Sequence, residues 1–312
     1  MIVVTGEALI DLVVDHEGLL HARPGGGPFN TARTIGRLGL APLFLGSLSQ
    51  DSFGHLLRES LDADGVKLGV PQPAAAPTTL AVVDVDAAGG PRYRFYLAGT
   101  SAGSLEPPQL AAALPDAVTA LYAGSLALVM EPVATSVEHL IARDLPPGTL
   151  VMVDPNCRPE AITDQQAYRA RLSRILGRAD VVKVSVEDLA YLYPGSTART
   201  AAADLLGQGP RLVLVTDGPR PARAFLGSQE VSVSVPAVQV VDTIGAGDAF
   251  GGAFLAWWSQ NGLGRPDLHR SGRVREALAG AAEAAALTCT RAGAEPPWLA
   301  ELAGKPGWRS RA

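Results

Sequence analysis

Asp242-Thr243-Ile244-Gly245-Ala246-Gly247-Asp248 is the segment of this chain best suited to chemistry. A β-rich stretch, 231–241, runs into it, and an apolar run, 249–258, leaves it and closes at Asn261-Gly262. The pattern predicts a strand, a tight turn and a helix N-terminus. Small residues leave the N–H groups of Gly245, Ala246, Gly247 and Asp248 bare, and a helix start adds partial positive charge, so the turn suits an anion such as phosphate. Gly247 is also expected to need a positive φ. A carboxylate beside an anion is unfavourable unless it works there. The fitting work for Asp248 is taking a proton from a hydroxyl that attacks a phosphoryl group. Asp248 as a plain helix N-cap remains the alternative. No Gly-x-x-x-x-Gly-Lys-Ser/Thr occurs, and Phe250 stands where a dinucleotide fingerprint needs its third glycine.

A second glycine cluster, Gly25-Gly26-Gly27-Pro28-Phe29-Asn30-Thr31-Ala32, precedes a short helix ended by Gly39. Glycines let backbone approach a ligand, and the Asn30 amide offers donors and an acceptor to a polyol. A loop with Asn30 as N-cap is the alternative.

Together the two motifs resemble the PfkB (ribokinase-like) family of sugar kinases. Residues 242–248 fit its C-terminal signature, and Gly-Gly-x-Pro-x-Asn-x-Ala at 25–32 its N-terminal one. Met1 to Asp11 resembles the opening strand with its Gly-Glu-x-Leu-Ile-Asp end. Asp51-Ser52-Phe53-Gly54, Asp154-Pro155-Asn156-Cys157-Arg158-Pro159, Val215-Thr216-Asp217-Gly218 and Arg291-Ala292-Gly293-Ala294 resemble further family segments. Three positions depart from the pattern. Ser49 replaces a glycine, Ser185-Val186-Glu187-Asp188 replaces an Asn-x-x-Glu motif, and Leu97 stands where several ketose kinases carry arginine.

The resemblance implies a ribokinase-like α/β fold: a central, mostly parallel sheet covered by helices on both faces, with a small β-sheet lid. It implies ATP and Mg2+ as cofactors. Asp248 is then the catalytic base, and Gly245, Ala246 and Gly247 form the anion hole. Asp11, Gly26, Gly27, Asn30 and Arg158 are the expected sugar contacts; a surface ion pair is the alternative for Arg158. Lys183, Ser185, Thr216, Asp217 and Gly218 are expected at the nucleotide. Asp188 is linked to magnesium, although Ser185 and Asp188 also suit a helix start. Asp242, Ile244 and Gly293 resemble a monovalent-cation site, with K+ as the ion.

Within the family the likeness is greatest to bacterial fructokinases, through Gly27-Pro28-Phe29-Asn30, residues 124–128 with Glu131-Pro132, and residues 154–159. Fructose is the expected substrate and 2-keto-3-deoxygluconate the runner-up, since Leu97 removes one cation while Arg92, Arg94 and Arg158 remain. A ribokinase or nucleoside kinase is a further alternative. A sugar-binding regulator without catalysis is the alternative outside enzymes.

The elements that must position these residues follow from hydrophobic pattern. Short apolar runs at 2–5, 43–45, 120–123, 150–153, 181–184 and 212–216 read as buried parallel strands. Helical patterns at 53–63, 188–193, 200–206 and 274–290 separate them. Strand-like segments at about 12–23 and 77–98, the second turning at Ala88-Gly89-Gly90-Pro91, are too polar for the centre and are the expected lid. Proline and glycine clusters mark loops rather than a boundary, so residues 1–312 read as one domain. An exposed lid edge predicts a homodimer joined through the lids.

Composition agrees. The 312 residues are 47% hydrophobic and 18% charged, as in a folded globular chain. Net charge is −5, with no basic run, so nucleic acid is not an expected partner. No long uncharged apolar run or signal segment is visible, so neither membrane association nor export is expected, and the cytoplasm is the expected compartment. Cys157 and Cys289 lack metal spacing and are expected to be reduced thiols. The five histidines are scattered.

Overall fold

Alternation along the first strand already divides the protein into two cores. Ile2 and Val4 join one buried cluster and Val3 the other, so both faces of this strand are covered. The same split recurs at Leu212 and Leu214 against Val213 and Val215. The computed structural model describes residues 1–14, 18–85 and 91–308. Its strands are β1 (Ile2–Thr5), β2 (Leu9–Val14), β3 (Leu20–Gly25), β4 (Leu43–Leu45), β5 (Lys67–Leu68), β6 (Thr79–Val85), β7 (Pro91–Tyr96), β8 (Ala120–Gly124), β9 (Leu150–Asp154), β10 (Val181–Ser185), β11 (Leu212–Thr216), β12 (Ala222–Leu226) and β13 (Gln229–Val233).

Nine strands form the central sheet in the order β13-β12-β11-β10-β9-β8-β1-β4-β5. It is parallel from β5 to β11, and β12 and β13 close one edge as an antiparallel hairpin. Gly124 pairs with Asp154, and Ser185 with Thr216, so strand C-termini line up along one edge. In open α/β sheets that edge carries the ligand crevice. No described helix is long and apolar enough to cross a membrane.

The lid is a separate four-stranded sheet, β3-β2-β6-β7. Its β2 and β6 run parallel, flanked by antiparallel β3 and β7. The expected turn residues 88–90 lie outside the described residues.

Two expectations need correction. Residues 1–11 are not one strand. Gly6 has φ 145°, and a Cβ there would lie 2.4 Å from Pro28, so the chain turns and β2 leaves the central sheet for the lid. Asp11 therefore sits inside a lid strand, not at a strand end. The β-rich stretch 231–241 is strand only to Val233; Pro236 lacks the N–H that a continued ladder needs.

Helix Gly27–Arg37, which carries Asn30, crosses helix Ala246–Gln260, which carries Asp248, at close range. A Cβ on Gly252 would lie 2.8 Å from Thr34 Cβ and 2.9 Å from the Thr31 carbonyl oxygen. Only glycine permits that approach.

Candidate active site

The cleft between lid and sheet edge has a volume of about 760 Å³. Asp11, Gly26, Gly27, Asn30 and Arg158 line one part. Lys183, Ser185, Asp188, Thr216, Asp217 and Gly218 line another, and the turn Ile244–Asp248 lies between them. Asp242 and Gly293 are not among the residues that line the cleft.

Gly245 is the N-cap of the Asp248 helix, in the left-handed conformation at φ 76°. A Cβ on it would lie 2.5 Å from Ala294 Cβ. The positive φ belongs to Gly245 and not, as expected, to Gly247. Gly247 is small for another reason: a Cβ there would lie 2.8 Å from Lys183 Nζ.

Asp248 is not the cap. It lies in the helix's first turn and faces the other signature. Asn30 Nδ2 donates to its Oδ2 at 2.9 Å, and Asn156 Nδ2 approaches its Oδ1 at 3.5 Å. Burial raises the Asp248 carboxyl, while Asn30 and the Lys183 and Arg158 charges oppose that shift. Asn30 is not an N-cap either; it lies inside its helix, and its buried Oδ1 has no hydrogen-bond partner. A buried acceptor in this state fits a ligand hydroxyl that donates to it.

Asp11 faces the same space. Burial and the nearby Asp248 charge push it up to about 7, against the pull of Arg158. Arg158 is not on the outer surface; its Nη1 donates to the backbone oxygens of Asn156 and Cys157. Tyr93 and Phe95 of β7 stack with ring centroids 5.9 Å apart and wall the cleft from the lid.

Lys183 is buried and donates to Asp154 Oδ2 at 2.9 Å, where the Tyr122 hydroxyl also donates. Burial opposes the ammonium, but Asp154 and Asp188 raise its pKa overall, so it stays charged. Burial lifts Asp154 to about 6, with Lys183 holding it down.

Asp188 is tied to backbone. Its Oδ1 accepts from Cys157 N at 2.7 Å and its Oδ2 from Ser185 N at 2.8 Å, while Ser185 Oγ caps the helix by accepting from Asp188 N. Asp217 is held by Arg220 through two oxygens. Asp242 Oδ1 accepts from Ile244 N at 3.0 Å and Oδ2 from Gly293 N at 2.8 Å, so the three residues named for a cation do meet. Among the described residues no group of three or more His, Cys, Asp or Glu is arranged to hold a metal.

A buried ion network fixes the loop beneath the turn. Asp64 accepts from Arg33 at 2.6 Å and from Arg37 at 2.8 Å. Arg33 reaches on to the Ala294 carbonyl and Arg37 to that of Pro296, and both pair with Glu295. Ala294 is thereby held against Gly245.

The carbohydrate kinase family described as pfkB matches residues 1–301. The chain belongs to the pfkB family of carbohydrate kinases. It is 34% identical over 260 residues to a fructokinase of Rhizobium leguminosarum bv. trifolii, covering 82% of this chain and 79% of that one. It resembles a Xylella fastidiosa fructokinase solved with bound ATP, with TM-score 0.85, 29% identity and 96% of each chain covered. A double-mutant fructokinase of Vibrio cholerae, solved with fructose, ADP and a potassium ion, matches with TM-score 0.82 and 29% identity over 94% of this chain and 93% of that one. The pfkB kinase has a ribokinase-like fold with its small lid sheet, as its signatures implied.

Sequence reasoning missed several residues on the wall. Val235, Pro236, Ala237, Val238 and Val240 line the cleft from the stretch beyond β13, and Glu7, Ser125 and Asn156 line it near Gly27. Asn156, Glu7 and Ser125 all stood inside segments that resemble the family, which was the available signal.

Proposed function

We propose that this chain is an ATP-dependent fructokinase that transfers the γ-phosphoryl group to the primary 6-hydroxyl of fructose. The observation that carries the reading is the bond between Asn30, in the helix that follows the first glycine cluster, and Asp248, in the first turn after the anion-binding glycines. It brings an expected sugar contact and a proton acceptor together beside the glycine turn proposed for phosphate.

In this reading Asp248 takes the proton as the hydroxyl oxygen forms its bond to phosphorus and the bond to the ADP oxygen breaks. Amides of Gly245 and Gly247 receive the transferring phosphoryl group, and that of Ala246, which is not bare but donates to the Thr243 carbonyl oxygen at 3.3 Å, joins them only by leaving that partner. Asp11, Gly26, Gly27, Asn30 and Arg158 hold the sugar, with Tyr93 and Phe95 excluding water from above. Lys183 adds positive charge beside Gly247. Ser185, Thr216, Asp217 and Gly218 flank the nucleotide, and the apolar stretch 235–240 suits its base.

Magnesium fits as an ion carried largely by the phosphates, because the Asp188 oxygens are engaged by backbone N–H groups. It would supply charge neutralisation. The convergence of Asp242, Ile244 and Gly293 fits a monovalent cation behind the turn, K+ by analogy with the Vibrio protein. An ATP-dependent sugar kinase belongs in the cytoplasm. A homodimer through the outer lid face is part of the proposal, since Leu20 and Tyr96 are exposed there.

A neutral sugar is favoured over 2-keto-3-deoxygluconate. Among the described side chains weighed for a substrate carboxylate, Arg94 is exposed and Arg158 lines the cleft, and Leu97 adds no cation. The test compares kcat/KM for fructose, ketodeoxygluconate, ribose and adenosine at equal ATP and magnesium. Fructose should lead by tenfold or more. A tenfold preference for another acceptor overturns the fructose assignment and keeps the kinase; no ADP with any of them overturns both.

A further inference from the structure

Glu7 has no part in the chemistry above, yet it is 1% exposed and lines the cleft. It follows the Gly6 turn between β1 and β2. Its Oε1 accepts from Gly27 N at 3.1 Å, and its Oε2 accepts from Ala127 N at 3.1 Å. The Ser125 side chain also helps to hold this carboxyl down.

We propose that Glu7 is a positioning residue: its carboxylate clamps the sugar loop at Gly27 to the segment after β8 at Ala127, and so sets the height of the acceptor sugar against Asp248. The inference rests on the sugar-kinase reading of the cleft.

Two features make the clamp matter. First, Gly27 abuts the base. A Cβ on Gly27 would lie 3.4 Å from Asp248 Oδ1 and 3.2 Å from Asn156 Nδ2. A small displacement of this peptide shifts the sugar relative to the proton acceptor, and alignment on the ångström scale governs transfer rates. Second, the clamp needs a carboxylate. An ionised carboxylate only accepts, and here each oxygen receives a backbone donor. A glutamine of the same shape would point an NH2 group at one of those N–H donors. The neighbouring backbone is already pressed close, since a Cβ on Gly26 would lie 2.8 Å from the Glu7 carbonyl oxygen. The loop therefore has little freedom to find another partner.

Burying a carboxylate is unfavourable, and an apolar residue would fill this space more cheaply. Burial pushes the Glu7 carboxyl up to about 7, and its hydrogen-bond donors hold it down. A group kept at that expense between two loops of the cleft is kept for the geometry it imposes.

The test is Glu7→Gln in the full-length chain, with KM for the preferred sugar of the panel, KM for ATP and kcat measured separately, and folding checked by thermal melting. The expected result is a tenfold or greater fall in kcat/KM for the sugar, with KM for ATP within twofold of the parent. If the fall in sugar kcat/KM of the folded variant is less than tenfold, or if the KM values for sugar and ATP rise together, Glu7 is only structural and the proposal is overturned. Should Glu7→Gln not fold, Ser125→Ala removes the hydroxyl that helps to hold the Glu7 carboxyl down. The proposal then requires at least a threefold rise in sugar KM with ATP KM unchanged, and an unchanged sugar KM overturns it. A parent chain that phosphorylates no sugar would instead overturn the kinase reading, separately from the clamp.

Discussion

Asn30 and Asp248 lie 218 residues apart in sequence and share a buried hydrogen bond of 2.9 Å. One end belongs to the N-terminal glycine cluster and the other to the C-terminal one. The bond orients the carboxylate, and Asn30 keeps an unpartnered oxygen beside it. Orienting a base and offering an acceptor to the attacking molecule are thus joined in one side chain.

Asp248→Asn should remove the base while keeping the bond from Asn30, because the amide oxygen can still accept. Losing a general base typically lowers rate about 100- to 10,000-fold. The expected outcome is a kcat loss of that order, with sugar and ATP affinities within a few-fold of the parent by calorimetry. A variant that keeps more than a tenth of parental kcat would remove Asp248 from this role.

The two glycines of the turn should fail differently. Gly247→Ala would push the Lys183 ammonium, which is buried and paired with Asp154, so turnover should fall about tenfold with only a small change in melting temperature. Gly245→Ala would meet Ala294 at 2.5 Å in a left-handed backbone, so it should lower stability by about 1–3 kcal/mol. Equal melting-point losses in the two variants would show that Gly247 is a packing residue.

Elements whose signal is local were legible in the sequence. The Gly-Ala-Gly turn before an apolar run read as a helix N-terminus, which the structure places at Gly245, while the anion site read from it is part of the proposal. Apolar runs of four or five residues announced β1, β8, β9, β10 and β11 because strands covered on both faces carry no polar alternation. The lid was seen as two polar, alternating segments, but not its parallel β2–β6 pair, since register between distant strands leaves no local mark. The partners of Glu7, Ser125 and Tyr122 were illegible for a similar reason. Each acts on a partner set by the fold, and composition around a buried carboxylate or hydroxyl does not reveal which donor will reach it. The β1–β2 break was also hidden, because Gly6 reads as an ordinary strand-end glycine until Pro28 packs against it.

The outer lid face should join two copies. Leu20 and Tyr96 are 61% and 53% exposed on that face, beside the partly exposed Val14. Light scattering at micromolar concentration should give a mass of about 65 kDa, twice the 32.3 kDa chain. Leu20→Glu should shift it towards the single-chain mass by placing a charge in the joint. A parent protein that scatters as one chain would reject the dimer.

Stability and activity should respond to pH in opposite directions. Asp11 and Glu7 rise to about 7, and Asp154 to about 6, each first through burial. An unfolded chain releases those protons near the ordinary carboxylate values of 3.8 and 4.5. Between those values and about 7 the folded state therefore binds more protons than the unfolded one, so stability falls as pH rises through that window. Carboxyls held low by partners, such as Asp51 and Glu295, lose their contribution only at more acid pH and leave this slope intact. Catalysis runs the other way, because Asp248 must be ionised to accept a proton and its own carboxyl is raised by burial. The ligand-free protein should melt at a higher temperature at pH 5.5 than at pH 7.5, while kcat increases across the same range. Asp11→Asn removes one of the three groups and should flatten the melting profile. A melting temperature that climbs from pH 5.5 to 7.5 would show that these carboxylates are ionised in the folded cleft throughout, and would remove the strain assigned to them.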